Sequence, residues 1–226
     1  MRCYLKSYLR IVLRLSAMLC SLSFASPPPI VPPDILTKIE QVHGKAAKQR
    51  VLDWLSFIEK NQNNSIWYKL NVVNKFFNRL PFIADLEHWS THDYWATPLE
   101  FLISHGGDCE DYTVAKYQTL KQLGFSEDSL RLLQVNVDSL ENEHMVLAYY
   151  ENETAEPLIL DSIEKKIHPL KDRRDIEVIY SFNQDGLWLI TEPQGTIVRV
   201  GDGNRISKWT KLIQRMENND VSVNYK

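Results

Sequence analysis

The string Gly106-Gly107-Asp108-Cys109-Glu110-Asp111 places a cysteine just after a glycine pair and at the head of a helical pattern. A thiol in the first turn of a helix meets unpaired backbone N–H groups and the positive end of the dipole. Both favour the thiolate, which is the nucleophilic form. Gly106 and Gly107 allow a tight turn and close approach of a substrate. Such a nucleophile needs a base, most often histidine, and a group that orients the base. The candidates for the base are His43, His88, His92, His105, His144 and His168. His144 stands out because two strand-like segments, 144–150 and 158–161, can form a hairpin. Centring the turn between Asn152 and Glu153 sets His144 opposite Asp161 on one face. Cβ atoms across such a pair lie roughly 4.5–5.5 Å apart, close enough for a carboxylate to hold an imidazole. Taken singly, Cys109 reads as a buried inert thiol, His144 as a strand histidine and Asp161 as a strand-end carboxylate. Their joint placement points to a Cys-His-Asp triad. The oxyanion of an acyl-transfer intermediate would be held by the Cys109 N–H and a second donor, either the Trp95 indole N–H or a side chain or amide near Trp89.

The acids around the thiol pose an electrostatic problem. Asp108, Glu110 and Asp111 all disfavour a thiolate next to them. One answer is capping, with Asp108 at the N-cap and the other two beside the helix dipole. The other is a calcium ion, since hard oxygen ligands suit Ca2+ and a cation would cancel the local charge. Asn136 or Asp138, at the end of the following strand, could add a ligand. The residues alone favour capping.

The cysteine count sharpens the reading. The chain has 226 residues and three cysteines, Cys3, Cys20 and Cys109. Residues 1–25 carry Arg2, Lys6, Arg10 and Arg14, then an apolar run from Leu15 to Phe24, then Ala25. A basic start, a short apolar middle and small residues at the cut form a signal peptide. Its removal would leave one cysteine and no internal disulfide, so Cys109 would be a lone thiol in an oxidising compartment. Removal also leaves 22 basic against 29 acidic residues, a net charge of −7. That balance argues against nucleic acid as a partner.

A proline-rich leader, residues 26–33, precedes a single domain over 34–226. Helical spacing is expected over 35–60, with Gly44 as a break, and over 67–80, stopped by Pro81. Thr97-Pro98-Leu99-Glu100 has the form of a capping box with proline at the first helical position. A short helix should follow to about His105, and a longer one from Asp108 to Gly124. Beyond that point the pattern turns to strands at 130–137, 144–150, 158–161, 177–182, 187–190 and 196–200, with a closing helix at 207–216. Helices first and strands later predict an α+β domain, with a helical N-terminal part and an antiparallel sheet in the C-terminal part.

Tyr94-Trp95-Ala96-Thr97-Pro98-Leu99-Glu100, Gly107-Asp108-Cys109-Glu110-Asp111-Tyr112, Glu143-His144-Met145-Val146-Leu147 and Leu160-Asp161 together resemble the bacterial transglutaminase-like cysteine proteinases. Within these, the closer likeness is to the LapG-type periplasmic proteases. The resemblance implies a papain/transglutaminase-like cysteine protease fold and a triad of Cys109, His144 and Asp161. It also implies calcium dependence, with Asp108, Glu110 and Asp111 as ligands, reversing the preference for capping alone. The implied activity is clipping of the N-terminal region of a large surface adhesin, which releases the adhesin and disperses biofilm. The implied regulator is an inner-membrane cyclic di-GMP receptor that sequesters a periplasmic protease. Three alternatives share these residues: a transglutaminase, in which an amine replaces water; a peptidoglycan peptidase; and a non-catalytic, metal-dependent binding module.

Overall fold

In the computed structural model, residues 31–191, 196–221 and 225 are described. The export segment expected at 1–25 and the first part of the leader lie outside them. Among the described residues, no helix is long and apolar enough to cross a membrane. Five helices come first: α1 (Pro33–Asn61), α2 (Ile66–Phe77), α3 (Asp85–His88), α4 (Pro98–Ser104) and α5 (Cys109–Gln122). Seven strands follow: β1 (Leu130–Val137), β2 (His144–Tyr149), β3 (Leu158–Leu160), β4 (His168–Pro169), β5 (Ile176–Phe182), β6 (Leu187–Thr191) and β7 (Thr196–Gly201). Helix α6 (Ser207–Glu217) closes the chain. This is the expected α+β order.

Local chemistry explains the helix limits. Pro33 is the first residue of α1, so the leader ends one residue earlier than expected, and Val31 is buried in the core. Gly44, at φ 85°, kinks α1 without ending it. Thr97 and Glu100 form the expected capping box, and His105 stops α4 in the left-handed conformation. The sheet is antiparallel at every pairing, in the order β4-β3-β2-β1-β5-β6-β7. Helix α5 packs on β2 and contacts α2 and α4. Fully buried Leu120, Phe77, Phe101 and Leu147 belong to that core. Burying each such side chain stabilises the fold by roughly 1.5–3 kcal/mol. A smaller cluster of Leu133, Val135, Val146, Ala148 and Ile159 forms a second core.

The β2–β3 hairpin corrects one expectation. Leu147 pairs with Leu160, Ala148 with Ile159 and Tyr149 with Leu158. The turn is therefore centred between Glu153 and Thr154, one residue later than expected. Asn152 causes the shift: its main-chain oxygen accepts from the Ala155 N–H (3.1 Å) and its side chain from the Thr154 N–H (3.1 Å), setting a turn over 152–155. The pairing moves by two residues, so Asp161 is diagonal to His144 rather than directly opposite. Because side chains alternate with period two, both stay on one face.

Candidate active site

Helix α5 begins at Cys109, and Asp108 is its N-cap. The turn before it depends on its glycines. Gly106 has φ 155°, and a Cβ there would come within 2.6 Å of the Pro81 main-chain oxygen. At Gly107 a Cβ would collide with the Asp111 carboxylate. This turn is tied to the preceding loop, since the Ile83 N–H donates to the Gly107 oxygen (2.9 Å).

The thiol sits against β2. Cys109 is the free cysteine of the described residues and is partly exposed. The Thr113 hydroxyl, one turn along α5, bridges the main-chain oxygens of Cys109 (2.8 Å) and Met145 (2.9 Å). The Met145 backbone is near enough to oppose part of the upward shift of the Cys109 thiol. One hydroxyl thus links the residue after His144 to the residue that carries the candidate nucleophile. His144 is buried, and its Nε2 lies 2.8 Å from Asp161 Oδ1. That pairing leaves Nδ1 as the nitrogen available to a thiol.

Asp161 is held by more groups than the sequence suggested. Its Oδ1 also accepts from the Ile163 N–H (2.9 Å), and its Oδ2 accepts from Arg173 Nη1 (2.9 Å). Its main-chain oxygen accepts from Lys116 Nζ (2.9 Å) and Asn78 Nδ2 (2.8 Å). Burial by itself would raise the Asp161 pKa. The His144 contact, the Ile163 N–H and Arg173 outweigh it and hold the carboxyl at about 2. Burial drives the Lys116 ammonium down to about 7, against the pull of Asp161. Arg173 and Lys116 carry no motif. Nothing in the sequence separates them from surface cations.

The acids divide into two groups whose ligand atoms lie within 4.8 Å of one another: Asp108, Cys109 and Glu110, and Asp85, Asp108 and Asp111. Asp85 is the residue that sequence reasoning missed. It opens the one-turn helix α3, which has no side-chain cap and no periodic signal. Asn136 does not join, being exposed and donating to Glu177 (3.2 Å), and Asp138 belongs to neither group. Asp111 is fully buried and also structural: its carboxylate accepts from the N–H groups of Ala96 (2.6 Å) and Asp108 (3.3 Å). Capping and metal ligation are therefore not exclusive.

Among the described residues, the nearby donors and Lys208 only partly offset the acids. Burial, then the charges of Asp111 and Glu110, push Asp108 up to about 11. Burial, followed by Glu110 and Asp108, raises the Cys109 thiol, whose sulfur lies 3.0 Å from Glu110 Oε2. Among the described residues, Asp85 Oδ1 and Asp108 Oδ1 are buried without a hydrogen-bond partner. Orphaned carboxylate oxygens in a cluster of hard donors fit a calcium ion, which takes about 6–8 oxygens, the remainder from carbonyls or water.

Trp95 is differently engaged from the expectation. Its indole N–H donates to Asp93 Oδ1 (3.0 Å), and its ring stacks on Phe182 at 5.9 Å between centroids. An oxyanion role would require that bond to be exchanged. Trp89 packs among His88, Tyr94 and Tyr225, with its Nε1 unpartnered among the described residues. Arg215 of α6 donates to the Trp95 main-chain oxygen, while its Nε lies 3.3 Å from the buried carboxylate of Glu100.

Residues 51–185 match the family described as bacterial transglutaminase-like cysteine proteinase, BTLCP. No curated protein matches the sequence. Among solved structures, the chain is similar to Legionella pneumophila LapG: 35% identity, TM-score 0.69, covering 80% of this chain and 97% of that one. The same identity holds for the EGTA-treated form, TM-score 0.69, covering 80% and 97%. It holds as well for the calcium-bound form, TM-score 0.68, covering 80% and 98%.

Proposed function

We propose, because this chain belongs to the bacterial transglutaminase-like cysteine proteinase family and is a cysteine protease, that it is a calcium-dependent periplasmic endopeptidase. Its substrate in this reading is the N-terminal region of a large surface adhesin, whose clipping releases the adhesin and promotes biofilm dispersal. Its regulator is an inner-membrane cyclic di-GMP receptor. The observation that carries the catalytic part is the juncture of α5 and β2. There Thr113 ties Cys109 to the strand whose first residue, His144, is held by Asp161.

In this mechanism Asp161 accepts a hydrogen bond from the Nε2–H of neutral His144 and so keeps Nδ1 as the lone-pair nitrogen. His144 takes the Cys109 proton, and the thiolate attacks the scissile carbonyl carbon. The imidazolium then protonates the leaving amine, giving a thioester. Water, deprotonated by His144, releases the acid and restores the thiol. The Cys109 N–H, in the first turn of α5 where N–H groups lack intrahelical acceptors, would be one donor to the oxyanion. Asp85, Asp108, Glu110 and Asp111 are the side chains that would hold a calcium ion, which supplies positive charge to offset the acids that oppose a thiolate. Calcium-bound and EGTA-treated forms of a 35%-identical structure support this part.

The test incubates the mature protein and its Cys109→Ala variant with N-terminal adhesin fragments, with and without calcium, and identifies the products by mass spectrometry. Cleavage by the wild type in calcium alone is expected. Undiminished cleavage by the Ala variant rejects the nucleophile, and undiminished cleavage in excess EGTA rejects the calcium requirement. Incorporation of an added primary amine in place of hydrolysis would assign acyl transfer.

A further inference from the structure

Asp161 carries more cationic contact than orienting one imidazole requires. Arg173, 7% exposed, follows a short turn at Leu170–Asp172 and is fixed there by its N–H donating to the Leu170 oxygen (2.9 Å). Its guanidinium is used on two sides. Nε and Nη2 form a fork on Asp175 Oδ1 (2.9 Å) and Oδ2 (2.8 Å), toward solvent. Nη1 points inward to Asp161 Oδ2 at 2.9 Å. Asp161 is 1% exposed, and Arg173 is the donor its Oδ2 receives. The other oxygen is shared by His144 and the Ile163 N–H. Lys116 and Asn78 reach only the main-chain oxygen, so they fix the backbone and leave the carboxylate free to rotate.

We propose that Arg173 is a positioning residue of the protease: it holds the Asp161 carboxylate in one orientation, and through it keeps the His144 ring with Nε2 as donor and Nδ1 facing the thiol. This rests on the triad reading above. The physical reason is the chemistry of a buried carboxylate. With a guanidinium on Oδ2, the group is acceptor-only, so the imidazole must place its proton on Nε2. Without the guanidinium, Oδ2 is buried and unpaired. Such a carboxylate tends to take a proton, and it can then donate to Nε2. The neutral ring would carry its proton on Nδ1, presenting hydrogen rather than a lone pair to Cys109. A merely structural salt bridge would change stability without changing the tautomer.

The experiment reads both. The Cys109→Ala background removes proton exchange between ring and thiol, so the tautomer of His144 can be followed. This uses long-range proton–nitrogen correlation on 15N-histidine-labelled protein, assigned with His144→Gln. The Nε2–H form is expected with Arg173 present. Arg173→Gln should bring the Nδ1–H form to a major share. On the cleaved adhesin fragment, with Cys109 intact, the same substitution should lower kcat roughly 10- to 100-fold, with KM changed less than about threefold. Arg173→Lys, which keeps the charge, should retain the Nε2–H form and kcat within about tenfold of wild type. An unchanged tautomer and a kcat within about twofold in a folded Arg173→Gln protein overturn the proposal. If Arg173→Gln does not fold, Arg173→Lys decides: a folded Lys variant as slow as Asp161→Asn overturns it. The tautomer measurement needs no substrate. Loss of the protease reading would show instead as full activity in Asp161→Asn and His144→Gln.

Discussion

Asp85→Asn should act in opposite directions with and without calcium. Asp85 is buried; its Oδ2 accepts from the Tyr94 N–H, and its Oδ1 has no hydrogen-bond partner among the described residues. Without a cation, burial raises its carboxyl from 3.8 to about 6. The Tyr94 N–H opposes this, the charge of Glu110 adds to it, and Asp108 and Lys208 oppose it weakly. A folded-state pKa above the unfolded value means that ionised Asp85 destabilises the fold at neutral pH. The cost is fully present above about 6 and relieved as pH falls toward 4. At 1.36 kcal/mol per pH unit it reaches about 3 kcal/mol, and screening by nearby solvent and relaxation lowers it to about 2 kcal/mol. Asn keeps an acceptor for Tyr94 but must bury an amide, so the net gain in EGTA should be about 1 kcal/mol. For a domain of this size that is roughly 2–4 °C in Tm. In calcium the sign reverses. A charged ligand is lost, calcium affinity falls roughly tenfold or more, and the ion's contribution to Tm shrinks. Thermal unfolding followed by circular dichroism at neutral pH, in EGTA and in excess calcium, tests both arms. Calorimetric calcium titration gives the affinity. If Asp85→Asn lowers Tm equally in the two conditions, Asp85 is an ordinary buried polar residue, and the cluster is not a cation site.

Thr113→Val removes the hydroxyl between the Cys109 and Met145 oxygens. It should cost about 1–2 kcal/mol in urea unfolding and lower kcat more than it raises KM. Gly107→Ala would drive a Cβ into the Asp111 carboxylate and break its hold on the Asp108 N–H. A loss of about 1–3 kcal/mol and weaker calcium binding in titration are expected. Lys116 titrates at about 7 rather than 10.5 because it is buried. Between those values the unfolded chain binds a proton that the folded one has released. Stability should therefore rise with pH above about 7, by up to about 1.4 kcal/mol per unit from this group. Urea midpoints across that range should show the rise in the wild type and lack it in Lys116→Met.

Much of the site could be read from local pattern. The Gly106-Gly107 turn, the helix head at Cys109 and the capping box at Thr97 follow from backbone rules acting within a few residues. The strand limits at 130–137 and a helix at 207–216, which the structure extends by one residue, follow from periodicity. The hairpin shows the limit of such reasoning. Its length and parity were legible, but its register was set by Asn152, whose side chain and carbonyl select the turn. His144 and Asp161 survived that error because a two-residue slip preserves the face.

What the sequence determined by itself is the identity of the reactive groups and the elements that carry them: a lone cysteine at a helix start, a strand histidine, and acids crowded on the first turn. What only the tertiary structure decided is how the charges on those groups are balanced. Asp85 arrives from a one-turn helix 23 residues before Asp108, and Arg173 arrives from a loop 12 residues after Asp161. Neither has periodicity, a motif or a turn signal, because each is placed by packing between distant elements. Electrostatic energy depends on distance in space and on burial. Neither quantity exists until the chain has folded.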